Sequence, residues 1–329
     1  MPTASQTAQD TQAKPLVLLW LDEADVYLRA AQDAGLDRKL EFAKVPAGQR
    51  PEPELLARTA GVLAWNLPPG IIPSMPNLRW IQTLSAGVEG WLARPDLAPA
   101  IDLACARGVH YEQMPDNILA AIYHVAKPYD AARRQQERSE WKRLRVEPLT
   151  GKTLGIIGLG TIGADLARKA AVLGLRVIGV KRTPGEVPGV EAVHTLDQLD
   201  LVLGASDFVV LLLPVTPATE NVIDARALRH MKKSAWLLNF ARGALVVDAD
   251  LIAAAESGTI AGAVLDVFRA EPLPSDHPFW GAKNIVVLPH VGGGHPQRDK
   301  IVSALFVENA RRFADGRPLQ ALVDRVHGY

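Results

Sequence analysis

At 329 residues the chain is longer than one compact core usually holds and suits two domains of ordinary size. Hydrophobic residues make up 48% and charged residues 22%, proportions that argue against a disordered chain. Lys plus Arg and Asp plus Glu both number 36, so the formal net charge is zero. That excludes the basic excess expected of a nucleic-acid binder and requires any anionic ligand to be met by local charge.

The opening stretch Met1–Lys14 is polar and rich in Thr, Ala, Gln and Ser. It lacks the apolar core of a signal peptide and is expected to form a frayed leader. No run of about 18 apolar residues occurs, so neither a membrane span nor a membrane partner is expected and the location expected is cytoplasmic. The single cysteine, Cys105, reads as a small apolar strand residue; it cannot form an internal disulfide, and no metal-type cluster accompanies it.

In chain order, short apolar runs at Pro15–Leu21, Gly61–Trp65, Leu78–Leu84 and Ile101–Ala106 predict buried strands. Helical patterns at Glu23–Ala34 and Glu52–Ala60 fall between them. A long helical pattern begins near Pro115 and runs through Asn117–Lys142, with a heavily charged stretch at Arg133–Arg145. After Gly151-Lys152 the alternation resumes. Strands are predicted at Thr153–Ile157, Arg176–Val180, Asp207–Leu213, Ala235–Asn239, Gly262–Val267 and Asn284–Leu288. Helices are predicted at Ile162–Leu173 and Asp248–Ser257, with Asp248 as an N-cap and Gly174 and Gly258 as stops. The final amphipathic helix, Gln297–Ala314, is expected to cross back to the first domain.

Such alternation predicts an α/β chain of two Rossmann-like, doubly wound, parallel-sheet domains, the first of them discontinuous. The boundaries expected are 1–114 with 292–329 for a flavodoxin-like substrate-binding domain and 115–291 for a dinucleotide-binding domain.

Gly158-Leu159-Gly160-Thr161-Ile162-Gly163 fits G-x-G-x-x-G, directly after an apolar strand and opening a helix. Gly158 suits the tight turn, Gly160 the approach of a pyrophosphate and Gly163 the close packing of helix on strand. The helix N-terminus supplies unpaired N–H groups and a positive dipole end. An NAD-binding chain usually carries Asp or Glu about 20 residues beyond this motif. Here Val180 is followed by Lys181, Arg182 and Thr183, two cations and a hydroxyl that suit a 2′-phosphate. NADP(H) is therefore the expected cofactor, with NAD(H) a weaker alternative.

Three further polar residues follow predicted strand ends: Arg242 after Asn239-Phe240-Ala241, Glu271 after Leu265-Asp266-Val267, and His290 after Leu288-Pro289. Ligands of parallel α/β sheets bind outside the carboxyl ends of the strands. A guanidinium fork fits a substrate carboxylate, an imidazolium can protonate a carbonyl oxygen as hydride reaches C2, and a neighbouring carboxylate stabilises the imidazolium. Arg242, Glu271 and His290 thus suit reduction of a 2-oxoacid.

Together with Leu84–Val88, Gly155–Gly163, Leu213–Thr216, Asn239–Gly243, Leu265–Pro272 and Leu288–His290, these residues resemble the D-isomer-specific 2-hydroxyacid dehydrogenase family along nearly the whole chain. Its ending, Val323–Arg325 through Gly328-Tyr329, resembles the glyoxylate and hydroxypyruvate reductase branch. The resemblance implies that Arg242 binds the substrate carboxylate and carbonyl, that Glu271 orients His290, and that His290 shuttles the proton. It further implies carboxylate binding by backbone N–H groups around Ser85, Ala86, Gly87 and Val88. Cofactor contacts are implied at Leu213, Pro214, Thr219, Phe240, Ala241, Asp266 (to the nicotinamide amide) and His290, and pairing into a homodimer is implied as well.

Three departures stand out: Lys181-Arg182 in place of an acidic residue, Gly292-Gly293-Gly294 after His290, and Asp116 where many relatives have Glu. Formate dehydrogenases, which also resemble the family, carry Gln at the position of Glu271, which argues against formate. The expected product is a D-2-hydroxyacid from glyoxylate, hydroxypyruvate or a similar short 2-oxoacid. The alternatives are a dinucleotide-sensing, corepressor-like regulator or a family member acting on another substrate such as a phosphonate.

Overall fold

The structure, a computed structural model, describes residues 13–326 and 328. Most of the expected leader, together with His327 and Tyr329, lies outside the described residues. The chain divides into two compact units, one running to Arg107 and resuming at Gln297, the other spanning Gly108–Pro296.

The first unit is built on β1 (Leu16–Trp20), α1 (Ala24–Asp33), β2 (Glu41–Val45), α2 (Pro53–Arg58), β3 (Thr59–Ala64), β4 (Trp80–Thr83), α3 (Glu89–Leu92) and β5 (Asp102–Ala104). Its five strands lie in the order β2-β1-β3-β4-β5 and every pair is parallel. β1, β3 and β4 are buried throughout, as strands covered on both faces must be. The C-terminal helix Arg298–Ala314 docks on this unit. Its Phe306 stacks on Trp80 at 5.8 Å between centroids and meets Tyr27 edge-on at 6.0 Å. Its buried Asn309 donates to Gln82 Oε1 at 2.7 Å and accepts from Gln320 N at 2.7 Å. These polar groups are buried but satisfied, so they fix the helix's register at little cost.

The second unit contains α4 (Gln113–Ala126), α5 (Tyr129–Glu137), β6 (Thr153–Ile157), α6 (Thr161–Val172), β7 (Arg176–Val180), β8 (Ala192–His194), α7 (Leu199–Ala205), β9 (Phe208–Leu211), α8 (Ala225–His230), β10 (Trp236–Asn239), α9 (Asp248–Ser257), β11 (Gly262–Leu265) and β12 (Ile285–Val287). The docked C-terminal helix is thus α10. Seven parallel strands run in the order β12-β11-β10-β9-β6-β7-β8. Chain order reverses direction between β6 and β9, the switch point at which doubly wound sheets bind ligands.

Two expectations are corrected, and two strands lie where none is predicted. The single long helix from Asn117 to Lys142 is two, α4 and α5. Pro128 interrupts it, since proline lacks the N–H and pushes Lys127 into an extended conformation (φ −116°, ψ 143°). Asp248 is the first residue of α9 rather than its N-cap, which is Val247. Its carboxylate instead lies 3.6 Å from both Arg269 Nε and His277 Nε2. β2 and β8 carry no apolar run; both stand at sheet edges and are at least partly exposed.

Candidate active site

All the expected catalytic residues of the second unit sit just beyond the carboxyl ends of its strands. β6 ends at Ile157 and the glycine motif follows. Gly158 has φ +119°, and a Cβ there would stand 2.6 Å from the Leu212 carbonyl carbon, so no other residue fits the turn. Its N–H and that of Leu159 both donate to the Val180 carbonyl, at 3.1 and 2.9 Å, which ties the loop to the end of β7. Leu159 turns its side chain into the core and so shapes the loop from beneath. A Cβ at Gly163 would collide with the Gly158 carbonyl, the close approach that glycine permits. At Gly160, by contrast, a Cβ would meet nothing within 4 Å. Open space above the first turn of α6, whose leading N–H groups at Thr161 and Ile162 have no intrahelical acceptor, fits a pyrophosphate.

Beyond β7, Lys181 donates its backbone N–H to His194 O at 2.9 Å, and Lys181, Arg182 and Thr183 occupy the strand end. At the opposite, amino end of β7 the Glu191 carboxylate is held by Arg176 at 2.9 Å. In the loop after β9, the buried Thr219 hydroxyl donates to the Pro214 carbonyl at 2.7 Å and accepts from Thr216 N at 2.8 Å. Thr219 thus fixes the shape of the Leu213-Pro214 turn from within.

The loops after β10 and β11 are locked together. Gly243 packs so closely on the Phe268–Arg269 backbone that a Cβ would collide with it. Buried Asn239 accepts from Ala241 N at 3.1 Å and donates to the Arg242 carbonyl at 2.8 Å, which sets the backbone that carries Arg242. Phe240 and Ala241 are buried under this turn. The Arg242 guanidinium folds back to donate Nη1 to Ala241 O at 2.6 Å.

Glu271 accepts from Phe268 N through Oε1 at 2.8 Å, and its Oε2 lies 2.6 Å from His290 Nδ1. With one oxygen tied to the backbone, the other is aimed. The ionised carboxylate can only accept, so Nδ1 carries the proton and Nε2 is the ring nitrogen turned to a ligand. His290 itself has φ +53°, a conformation uncommon for a residue with a Cβ.

Asp266 holds that backbone in place. Its buried carboxylate accepts from Val291 N at 2.7 Å and Gly292 N at 2.8 Å, so both residues after His290 hang from it. Burial pushes the Asp266 carboxyl above the usual carboxylate range, against the downward pull of those two N–H groups. Asn117, in the first turns of α4, donates to the Gly292 carbonyl at 2.8 Å and the Val291 carbonyl at 3.3 Å. Gly292 is confined as well: a Cβ would stand 2.6 Å from Asp266 Oδ2 and 2.8 Å from Phe240. Asn117 carries no sequence signal of its own, because it acts on the backbone of the loop after His290.

In the first unit, β4 leads into Leu84 and the turn Ser85–Val88. Ser85 N donates to Thr83 Oγ1 at 3.2 Å and Gly87 N to Ser85 Oγ at 3.0 Å. Among the described residues, the backbone N–H groups of Ala86 and Val88 take no acceptor. Also among the described residues, no group of three or more His, Cys, Asp or Glu is placed to hold a metal, and no helix is long and apolar enough to cross a membrane.

Comparison with known proteins finds relatives along nearly the whole chain. Residues 119–292 match the NAD-binding domain of the D-isomer specific 2-hydroxyacid dehydrogenases. A glyoxylate/hydroxypyruvate reductase A of Serratia proteamaculans is 32% identical over 305 residues, covering 90% of this chain and 95% of that protein. A D-isomer specific 2-hydroxyacid dehydrogenase of Xanthobacter autotrophicus Py2, solved with NADPH and MES, superposes with a TM-score of 0.86 at 32% identity, over 96% of this chain and 100% of that one. An NADPH-dependent glyoxylate/hydroxypyruvate reductase of Sinorhizobium meliloti, solved with NADP and sulfate, gives 0.84 at 29% identity, over 96% and 100%.

Proposed function

The chain belongs to the D-isomer-specific 2-hydroxyacid dehydrogenase family, and within it we propose that this enzyme reduces a short 2-oxoacid, such as glyoxylate or hydroxypyruvate, to the D-2-hydroxyacid with NADPH. The observation that carries the reading is the Glu271–His290 pair, 2.6 Å apart beyond the ends of adjacent strands β11 and β12. When bound, the reduced nicotinamide supplies a hydride to C2 of the oxoacid. His290 delivers a proton from Nε2 to the carbonyl oxygen as charge develops there, and Glu271 stabilises the imidazolium before transfer and keeps the ring oriented after it. Arg242 pairs with the substrate carboxylate and polarises the carbonyl. The N–H groups of Ala86 and Val88 hold that carboxylate.

In this reading residues 115–291 form the dinucleotide-binding domain and the rest of the chain the substrate-binding domain. Gly158–Gly163 hold the pyrophosphate, Lys181, Arg182 and Thr183 meet the 2′-phosphate, and Leu213, Pro214, Thr219, Phe240 and Ala241 shape the cofactor groove. Asp266 meets the nicotinamide amide and, through Val291 N and Gly292 N, also positions His290. NADPH rather than NADH is supported by the cations at the end of β7 and by the NADPH and NADP carried by the two solved relatives. The enzyme acts as a homodimer in the cytoplasm, where its one cysteine stays a thiol. A panel of 2-oxoacids assayed with NADPH and with NADH, following absorbance of the reduced cofactor, tests the reading. Turnover of glyoxylate or hydroxypyruvate is expected; a panel without turnover overturns it.

A further inference from the structure

Within the second unit, the start of α4 and the residues just before it meet the loop after His290 through contacts that the mechanism above does not use. The Asn117 amide donates Nδ2 to the Gly292 carbonyl at 2.8 Å and to the Val291 carbonyl at 3.3 Å. Gln113, one turn earlier, donates Nε2 to Asn117 Oδ1 at 3.3 Å. With its oxygen engaged in this way, the amide presents its NH2 group to the loop. The next contact is steric. A Cβ at Gly293 would stand 3.0, 3.2 and 3.3 Å from Nδ1, Cγ and Cε1 of His110, so the imidazole lies against the glycine. His295 meets that ring edge-on, with 6.3 Å between centroids. Gly293 does not have a left-handed φ, so the ring rather than the backbone excludes a side chain there.

This segment has a firm base. Met114 N donates to the His110 carbonyl at 3.1 Å. Lys169 of α6 donates to the Glu112 carbonyl at 3.0 Å and pairs with Asp116 at 2.7 Å. The loop is thus gripped by both kinds of backbone group. Asp266 takes the N–H groups of Val291 and Gly292, and Asn117 donates to the carbonyls of the same two residues. His290 precedes them with φ +53°, a conformation that persists only where its surroundings hold it.

We propose that Asn117, oriented by Gln113, and His110, seated on Gly293, are positioning residues that complete the hold on His290 begun by Asp266. Glycine at position 293 admits the His110 ring. The proposal rests on the reading of His290 as the proton donor. It makes these residues determinants of kcat, since they act on the aim of Nε2 rather than on the capture of the oxoacid.

The test compares wild type, Asn117→Asp, Asn117→Ala, His110→Ala, His110→Phe, Gly293→Ala and the double variant His110→Ala, Gly293→Ala. kcat and KM are measured for glyoxylate with NADPH, and hydrogen exchange is followed at the amides of residues 291–293. Asn117→Asp keeps the shape but turns an acceptor on two carbonyls. Its kcat is expected to fall roughly tenfold or more with little change in KM, and the amides to exchange roughly tenfold or more faster. Asn117→Ala should lose less, because water can reach the freed carbonyls. Gly293→Ala should lower kcat roughly fivefold or more in wild type but by less than about twofold in His110→Ala, where the ring it strikes is gone. His110→Phe, which keeps a flat ring, should retain most of the kcat that His110→Ala loses. Affinity for adenosine 2′,5′-bisphosphate, the adenosine end of NADP alone, should stay within about twofold in every variant, which separates these effects from general damage to the fold. Wild-type kcat and exchange in Asn117→Asp, or an equal cost of Gly293→Ala with and without His110, overturns the proposal and leaves the proposed function standing. If wild type reduced no oxoacid, the proposed function would fall. Amide exchange in Asn117→Asp and thermal unfolding across the His110 and Gly293 variants would still decide whether this hold on the loop exists.

Discussion

Glu271 touches His290 with one carboxylate oxygen, 2.6 Å from Nδ1, while its other oxygen is bound to Phe268 N at 2.8 Å. The carboxylate can neither rotate nor pass to another partner without giving up a backbone hydrogen bond. In Glu271→Gln, one amide oxygen can still accept from Phe268 N, so the NH2 group turns to Nδ1 and forces that nitrogen to accept. The ring then carries its proton only on Nε2, and its charged form loses its counterion. Oxoacid reduction should fall by roughly 10² or more in Glu271→Gln and by roughly 10² to 10⁴ in His290→Ala. NADPH binding, followed by fluorescence, should survive in both. Near-wild-type turnover in His290→Ala would remove the proton-transfer role.

Arg242 is carried on a turn that Asn239 fixes from both sides, so its fork arrives in a set plane. Arg242→Lys keeps the charge and loses the planar pair of donors. We expect kcat/KM for the oxoacid to drop at least about tenfold in Arg242→Lys and further in Arg242→Ala, as hydrogen bonds to a charged group are withdrawn. Unchanged kcat/KM in both variants would show that the carboxylate is bound elsewhere.

How far the sequence foretold this arrangement follows from what each element has to bury. β1, β6 and β9 are covered on both faces, so they read as unbroken apolar runs. β2 and β8 stand at the edges with mixed sides, and nothing in Glu41–Val45 or Ala192–His194 distinguishes a strand from a turn. Parallel strands deliver their following residues to one edge, which is why Arg242, Glu271 and His290 were legible. Asp266 is expected as a cofactor contact only through the family resemblance. Its hold on Val291 N and Gly292 N could not be read, because backbone donors 25 and 26 residues away leave no pattern in the chain. Asn117 reaches carbonyls 174 and 175 residues away and is silent for the same reason.

Asp266 offers a test that combines activity with acid stability. In Asp266→Asn one of the two N–H groups, of Val291 or Gly292, loses its acceptor and faces an amide donor, at a cost of about 1–3 kcal/mol. kcat should fall because the backbone of His290 loosens. The linkage has a definite sign. Burial raises the folded-state pKa of Asp266, so the native protein holds this proton more tightly than the unfolded chain does. That contribution is fully present below the ordinary carboxylate value of about 3.9 and is lost as pH rises through the raised one. The Tm of wild type minus that of Asp266→Asn should therefore decrease with rising pH across this window. A difference that stayed flat or increased would show that burial does not disfavour the ionised form.

Gly292→Ala tests the same loop by steric means. Its Cβ would press on Asp266 Oδ2 and on Phe240, both buried. Overpacking of this kind costs about 1–3 kcal/mol. We expect a lower Tm and a lower kcat. Wild-type values of both would mean that the loop after His290 yields easily.

The homodimer expectation can be placed on particular residues. Trp141 is 95% exposed and Val146 60%, on a stretch after α5 that carries no regular structure, and Tyr129 at the start of α5 is 72% exposed. We propose that these exposed apolar side chains belong to the pairing surface. Light scattering should give twice the 35.5 kDa mass of one chain. Trp141→Glu should shift the protein toward the monomer, and a monomeric wild type would refute the assignment.

Cofactor choice is the prediction in which this sequence departs furthest from the NAD-binding pattern. A carboxylate at the end of β7 would accept hydrogen bonds from a ribose 2′-hydroxyl and repel a 2′-phosphate. Lys181 and Arg182 reverse both effects. A phosphate accepts charge-assisted hydrogen bonds worth about 1.5–3 kcal/mol each. Tenfold preference requires only about 1.4 kcal/mol, so one such contact is enough. Arg182 and Thr183 are exposed and Lys181 is partly so, which exposes the effect to screening by salt. The ratio of kcat/KM with NADPH to that with NADH should therefore exceed about ten at low ionic strength and shrink as salt is added. In the double variant Lys181→Ala, Arg182→Ala the ratio should fall toward one, mainly through a higher KM for NADPH, with kcat at saturating cofactor little changed. Placing Asp at position 181 in the same background should carry the preference over to NADH, since the carboxylate then meets the 2′-hydroxyl and opposes the phosphate. A wild type that prefers NADH, or a ratio that the double substitution leaves in place, would show that the selectivity is built elsewhere in the groove.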